Sequence, residues 1–328
     1  MSSDSPSGED KLIARFFGPI ATDPGALGLT DDAAFIKPPP GTEMVLKTDA
    51  IVSGIHFFAE DPADAVAQKA LRVNLSDLAA KGAKPLGFLV SLALPKDIGD
   101  DWLSAFASGL REDAATYKCP LFGGDTVRSP GPVMVSVATF GSVPEGRMVR
   151  RSGAKAGDHV FVTGSIGDAA LGLRLRQGAE WPLDEKQREH LLSRYLLPRP
   201  RNALAQAVLD YASASMDVSD GLAGDLAKLC RVSKVAAEID AARVPLSDAA
   251  QAAVRHDASL LEPVLTGGDD YEILCTVSPA NIDRFRVAAM MARTAIADIG
   301  TIADGEGAIF RSPNGQPLHF SRTSFSHF

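Results

Sequence analysis

Cysteine and histidine are scarce in this 328-residue chain, which holds three of the first and six of the second. Cys119, Cys230 and Cys275 lie far apart in apolar stretches and read as small core residues, so a disulfide framework and a zinc spacing are both absent. Long hydrophobic runs are missing as well: the longest, residues 86–94, is too short to cross a bilayer. The first ten residues, MSSDSPSGED, have neither a basic region nor an apolar centre. They read as a disordered tail rather than a secretory signal, and a cytoplasmic enzyme is the expectation. Nor is there a basic excess. A formal charge of −8 and a pI near 5.3 argue against a nucleic-acid or anionic-membrane partner. A phosphate binder of this composition must take its positive charge from metal ions.

The common catalytic signatures are lacking too. No GxxxxGK[ST] loop occurs, residues 164–167 (GSIG) form only a weak glycine turn, and the protein-kinase set is missing. No nucleophile elbow is present, and no serine stands in a triad context.

What the chain does hold is a series of acidic clusters, each at a glycine turn or beside an apolar run. They are Asp31 with Asp32, Thr48 with Asp49, Asp77, Gly124 with Asp125, the run Asp217 to Asp220, and Gly268 to Asp270. A single cluster could be a solvated turn, because Asp suits turns and helix caps. The flanking runs 120–125, 215–220 and 265–274 instead embed the acids in core-like sequence, where a carboxylate must be paired or bound to a cation. The donors are nearly all oxygens, which suits magnesium: it takes one or two carboxylates, keeps waters and accepts phosphate oxygens. Asp32, Asp49, Asp77, Asp125 and Asp217 would together make a clamp for a nucleoside triphosphate. His56, taken alone, reads as a hydrogen-bonded structural histidine.

The length allows two domains. Helical spacing covers 11–17, residues 43–52 are β-rich, and Asp61-Pro62 opens a helix to about Ala80. On that helix Asn74, Asp77 and Lys81 share a face, so Asp77 standing alone reads as an ion pair with Lys81. A strand over 87–94, a helix over 100–117 and a cleanly alternating strand over 133–140 follow. Between 146 and 157 basic residues and glycines mark a boundary, beyond which helices and strands alternate, as in α+β or α/β layers. The organisation expected is a tail over 1–10, a metal- and nucleotide-binding domain over 11–147 and an α/β domain over 148–328. Both halves carry acid clusters, so the site is expected where they meet.

The run KALRVNLSDLAAKGA (69–83) resembles the helix signature of the bacterial thiamine-monophosphate kinases, within the aminoimidazole ribotide synthetase superfamily. So do Thr48-Asp49 with GIHF (54–57), GGDT (123–126), RSGAK (151–155), MDVSDGL (216–222), GGDDYE (267–272) and the closing His327-Phe328. The motifs keep the family's order across nearly the whole chain. The resemblance implies transfer of the γ-phosphoryl of ATP to thiamine monophosphate, with several Mg2+ ions, and a homodimer whose N-terminal domains join their sheets. It implies that Asp32, Thr48, Asp49, Asp77, Asp125, Asp217 and Asp220 are metal ligands. Tyr117, Gly124, Asp125, Arg151 and Ser219 match nucleotide contacts, and Asp49, Asp77, Asp125 and Arg151 are the expected catalytic residues. His56, Asp269 and Phe325 match positions that hold the acceptor.

Four positions depart from that pattern: Thr30 for a glycine, Lys47 for a small hydroxyl residue, Asp269 for a glutamate and Phe325 for a tyrosine or tryptophan. At Lys47 one metal contact is lost, or an ammonium supplies part of the metal's charge. Two other readings stay open: another ATP-dependent synthetase of the superfamily, and a degenerate metal- or nucleotide-binding protein.

Overall fold

The protein's structure, a computed structural model, describes residues 8–324. Phe325, His327 and Phe328 and the first seven residues of the expected tail lie outside the described residues. The chain divides into two compact units, Met1–Leu78 with Lys84–Gly146, and Ala79–Ala83 with Arg147–Phe328.

The first unit opens with α1 (Gly8–Leu12) and a wider π turn, Ile13–Phe17, that buries Phe16 and Phe17. Then come β1 (Thr42–Val52), α2 (Ala63–Ala80), β2 (Lys84–Leu94), α3 (Asp100–Thr116), β3 (Leu121–Arg128) and β4 (Met134–Pro144). The strands lie in the order β1-β4-β2-β3, and only β2 and β3 run parallel. Pro62, whose carbonyl accepts from Val66 N, sits at the entry to α2, where its missing N–H costs nothing. Gly82 closes that helix at a φ of 71°, a left-handed value that favours glycine. Between them Val66, Leu71, Leu75 and Leu78 are buried at helical spacing. Burial along β1 alternates, Val45 and Ile51 inward and Leu46 outward, as a sheet covered on one face requires.

The second unit contains β5 (His159–Thr163), α4 (Asp168–Arg176), α5 (Glu185–Leu196), α6 (Ala205–Tyr211), β6 (Ala212–Val218), α7 (Leu222–Ser233) and β7 (Ala236–Asp240). It continues with α8 (Asp248–His256), α9 (Leu261–Thr266), β8 (Glu272–Val277), α10 (Ile282–Met291), β9 (Ile296–Ala303) and β10 (Gly307–Arg311). Its six strands lie in the order β10-β7-β9-β5-β8-β6, antiparallel except for β10 with β7. Both faces are covered. Val160 and Val162 join Leu226 and Leu229 of α7 in one core, while Phe161 meets Phe285 of α10 edge-on at 5.4 Å. Cys119, Cys230 and Cys275 are free and buried, as expected of small core residues, and burial pushes their thiols up to about 12, 11 and 12.

Two elements were not legible beforehand. β3 carries the GGD run, whose composition suggests a turn. Here Gly124 pairs with Val90 so closely that a Cβ at 124 would lie 1.8 Å from the Val90 carbonyl oxygen. β10 completes the second sheet at an edge, where little apolar pattern is needed.

Candidate active site

In a strand, side chains two apart share a face and neighbours oppose each other. Lys47, Asp49 and Ile51 therefore project to the covered face of β1, and Leu46, Thr48 and Ala50 to the open one. The ladder carries this across the sheet: Ala50 pairs with Ser136, Ser136 with Ser91 and Ser91 with Asp125, so Asp125 stands on Thr48's face. Both Thr48 and Asp125 are exposed. The sheet thus sorts the acids of the first unit into two groups.

On the covered face Lys47 Nζ lies 3.1 Å from Asp49 Oδ1 and 2.9 Å from Asp77 Oδ2. Asp77 comes from α2, and its partner is Lys47; Lys81 Nζ, which the helical spacing paired with Asp77, donates to the Ser215 carbonyl at 2.7 Å. Burial pulls the Lys47 ammonium toward neutrality, but Asp77 and Asp49 outweigh it and hold its pKa above the ordinary lysine value. The lysine therefore stays charged at neutral pH.

A cavity of about 740 Å³ is lined by Asp31, Asp32, Gly123, Gly124, Asp125 and Thr126. Apolar side chains line it too, among them Ile13, Phe17, Leu29, Phe122 and Phe140. Asp31, at a bend, and Asp125, in β3, each accept a hydrogen bond from the next residue's N–H, at 2.8 and 2.9 Å. His56 follows β1 in a tight loop. Its Nδ1 accepts from Val52 N at 3.0 Å, so in the neutral ring Nε2 carries the proton, and its carbonyl accepts from the buried Lys69 at 2.8 Å. The structural hydrogen bond expected of His56 is present. Tyr117 caps the C-terminus of α3 next to the buried Arg72–Asp113 fork.

In the second unit Asp217 lies one residue before the end of β6 and is buried. The following loop hangs on a residue that the sequence reading missed. Asp225, in the first turn of α7, is fully buried, and its Oδ2 accepts from Ser219 N at 3.0 Å and Asp220 N at 2.9 Å. Lys228 Nζ lies 2.9 Å from Asp225 Oδ1 and 2.5 Å from Asp220 Oδ2, so one of the expected metal ligands carries an ammonium. The signal was the i,i+3 spacing of Asp225 and Lys228 on a helix opening. Asp269 N donates to the Ser219 carbonyl at 2.9 Å and Tyr271 N to that of Val218 at 2.8 Å, with Asp269 at a φ of 72°. Gly268 permits this approach, since a Cβ there would lie 2.4 Å from the Ser219 carbonyl oxygen. Beneath the loop Glu272 is fully buried and held by Arg194, Arg201 and Thr163. Arg151 is exposed, its carbonyl fixed by Ser233 Oγ at 2.9 Å.

Among the described residues no three His, Cys, Asp or Glu side chains gather into a metal cage. Carboxylates in twos with nearby hydroxyls, and phosphate left to complete the shell, are what magnesium accepts, so the donor set fits that ion and not zinc.

Residues 30–143 match the AIR synthase related protein N-terminal domain, and residues 155–311 match the AIR synthase related protein C-terminal domain. The thiamine-monophosphate kinase of Caulobacter vibrioides is 42% identical over 309 residues, 92% of this chain and 86% of that protein. The crystal structure of thiamine-monophosphate kinase from Stenotrophomonas maltophilia K279a aligns with a TM-score of 0.83 at 37% identity, covering 94% of this chain and 96% of that one. A structure of AaThiL complexed with AMPPCP and TMP aligns at 0.77 with 31% identity, covering 98% and 94%.

Proposed function

We propose, from the premise that this chain belongs to the thiamine-monophosphate kinases of the AIR synthase related family, that it moves the γ-phosphoryl of ATP directly to thiamine monophosphate. The observation that carries this reading is the cavity of the first unit, whose lining combines apolar side chains with acids and glycines. A purine needs the first kind of wall. A metal-neutralised polyphosphate needs the second.

Magnesium would be held by Asp32 and Asp125 at the cavity, with Thr48 on the same sheet face as Asp125, and in the second unit by Asp217 and Asp220, while Asp49 and Asp77, paired with Lys47, would offer their remaining carboxylate oxygens. When bound it supplies charge that neutralises and orients the phosphate oxygens. The chain's own residues do the rest. The backbone at Gly124 lets the phosphates approach closely, the Arg151 guanidinium offers a planar fork of donors, and Ser219 lies in a loop that Asp225 holds rigid. Tyr117 borders the nucleotide. His56, through Nε2–H, Asp269 and Phe325 would hold the acceptor. No general base is required, because a phosphate monoester with a second pKa near 6 is already an anion at pH 7. The task left to the protein is to align two polyanions. The acidic surface suits a cytoplasmic enzyme, and the open face of the first sheet, where Leu46 and Val127 are exposed, would pair with a second copy.

The test is ADP release measured with and without thiamine monophosphate, with the diphosphate product identified by mass spectrometry. ADP formed together with inorganic phosphate and no thiamine diphosphate would move the chain to the synthetases; no turnover at any magnesium concentration would make it a binding protein. Chiral γ-thiophosphate carried through the reaction should emerge inverted, and retention would overturn direct transfer.

A further inference from the structure

We propose that Lys47 is a built-in cation of the site: its ammonium fills the notch between Asp49 and Asp77 and stands in for one divalent ion there. The backbone gives it little alternative. Two residues apart on β1, Lys47 and Asp49 must share a face, and Asp77 descends on that face from α2. The ammonium reaches both carboxylates, at 3.1 and 2.9 Å, from a side chain only 30% exposed. An ammonium is a compact point charge with three donors. Two are spent on the carboxylates, and the third remains for a further oxygen ligand. Two carboxylates and one phosphate oxygen are also what a magnesium ion would bind at this place, keeping waters for the rest. Lysine thus offers the same charge contact without recruitment from solution, at the cost of one unit of charge.

The phosphate part of this inference rests on the kinase reading; the occupancy of the notch does not. The experiment counts Mn2+ bound per full-length chain, by calorimetry and by electron paramagnetic resonance, with and without AMPPCP. The parent is compared with Lys47→Ser, Lys47→Met and Lys47→Arg. The serine and methionine variants should each bind about one Mn2+ more than the parent, and arginine should bind no more. In chelator, the two uncharged variants should melt a few degrees below the parent and recover on adding Mg2+, because Asp49 and Asp77 then repel each other; the parent should respond far less. If the serine variant does not fold, the methionine variant, which keeps the apolar stem, decides. Equal Mn2+ counts in the parent and a folded uncharged variant overturn the proposal. A parent that forms no thiamine diphosphate while Lys47→Ser still gains an ion overturns the kinase reading and supports the role of Lys47.

Discussion

Asp168 and Asp270 are both wholly buried, yet their carboxyls lean in opposite directions. Burial raises each. At Asp168 it is outweighed by hydrogen bonds from His190 Nε2 at 2.9 Å and from the Ser165 and Ser247 hydroxyls at 2.5 Å each, which hold the carboxyl below its ordinary range. At Asp270 burial prevails over the Gly167 N–H at 2.8 Å and the charge of Arg194, and the carboxyl is pushed well above that range. The signs of the stability linkage follow. Asp168, depressed, contributes fully above the unfolded carboxylate value and loses its contribution as pH falls through the folded one. Asp270, raised, contributes fully below the unfolded value, about 3.9, and loses its contribution as pH rises from there. Urea midpoints between pH 3 and 7 should therefore show Asp168→Asn losing the parent's gain with rising pH. Asp270→Asn should become steadily more stable relative to the parent over the same range; parallel curves for all three proteins would refute both assignments. Asp77, paired with Lys47 beside Asp49, belongs to the proposed metal site. Asp77→Asn should lower turnover on the order of a hundredfold, as loss of a charge-stabilising group does, while the melting temperature in chelator stays near the parent's. Near-normal activity at low magnesium would remove Asp77 from the site.

β1 and β3 show what an element adds to its residues. Thr48 and Asp49 are adjacent in sequence and were both expected to be metal ligands, but strand alternation turns their side chains to opposite faces, Thr48 with Asp125 and Asp49 with Lys47. The GGD run illustrates the converse. Its glycine serves the ladder, because the β2–β3 pairing leaves no room for a Cβ at 124. Gly124→Ala must move the backbone of Val90 and so should destabilise by roughly 1–3 kcal/mol, as overpacking does. A melting temperature lower by at least about 2–4 °C, with the nucleotide KM raised, is the expected result. An unchanged melting curve would show that the edge strand yields freely.

At the scale of the whole molecule the open sheet face carries the clearest expectation. With Leu46 69% exposed on it, a second copy should cover it, and light scattering should report twice the chain mass of 34.5 kDa. Leu46→Arg should shift the protein toward monomer without lowering its helix content, and a parent that is monomeric at micromolar concentration would dismiss this dimer. The sequence by itself determined the long helices, the alternating strands, the core role of the cysteines and the oxygen-rich donor set. These follow from local periodicity, from apolar context and from the chemistry of Asp, none of which needs a distant neighbour. Asp49 and Asp77 were candidate ligands through their place in the acidic series and the family resemblance, while helical spacing alone paired Asp77 with Lys81. That Lys47 pairs with Asp49 and Asp77, that Lys81 turns to Ser215 instead of Asp77, and that Asp225 with Lys228 holds the Ser219 loop were decided only by the tertiary structure. Which partner a charged side chain finds depends on the register of strands and on the approach of a helix from elsewhere in the chain. Spacing along one element constrains which residues share a face, but not what lies opposite that face.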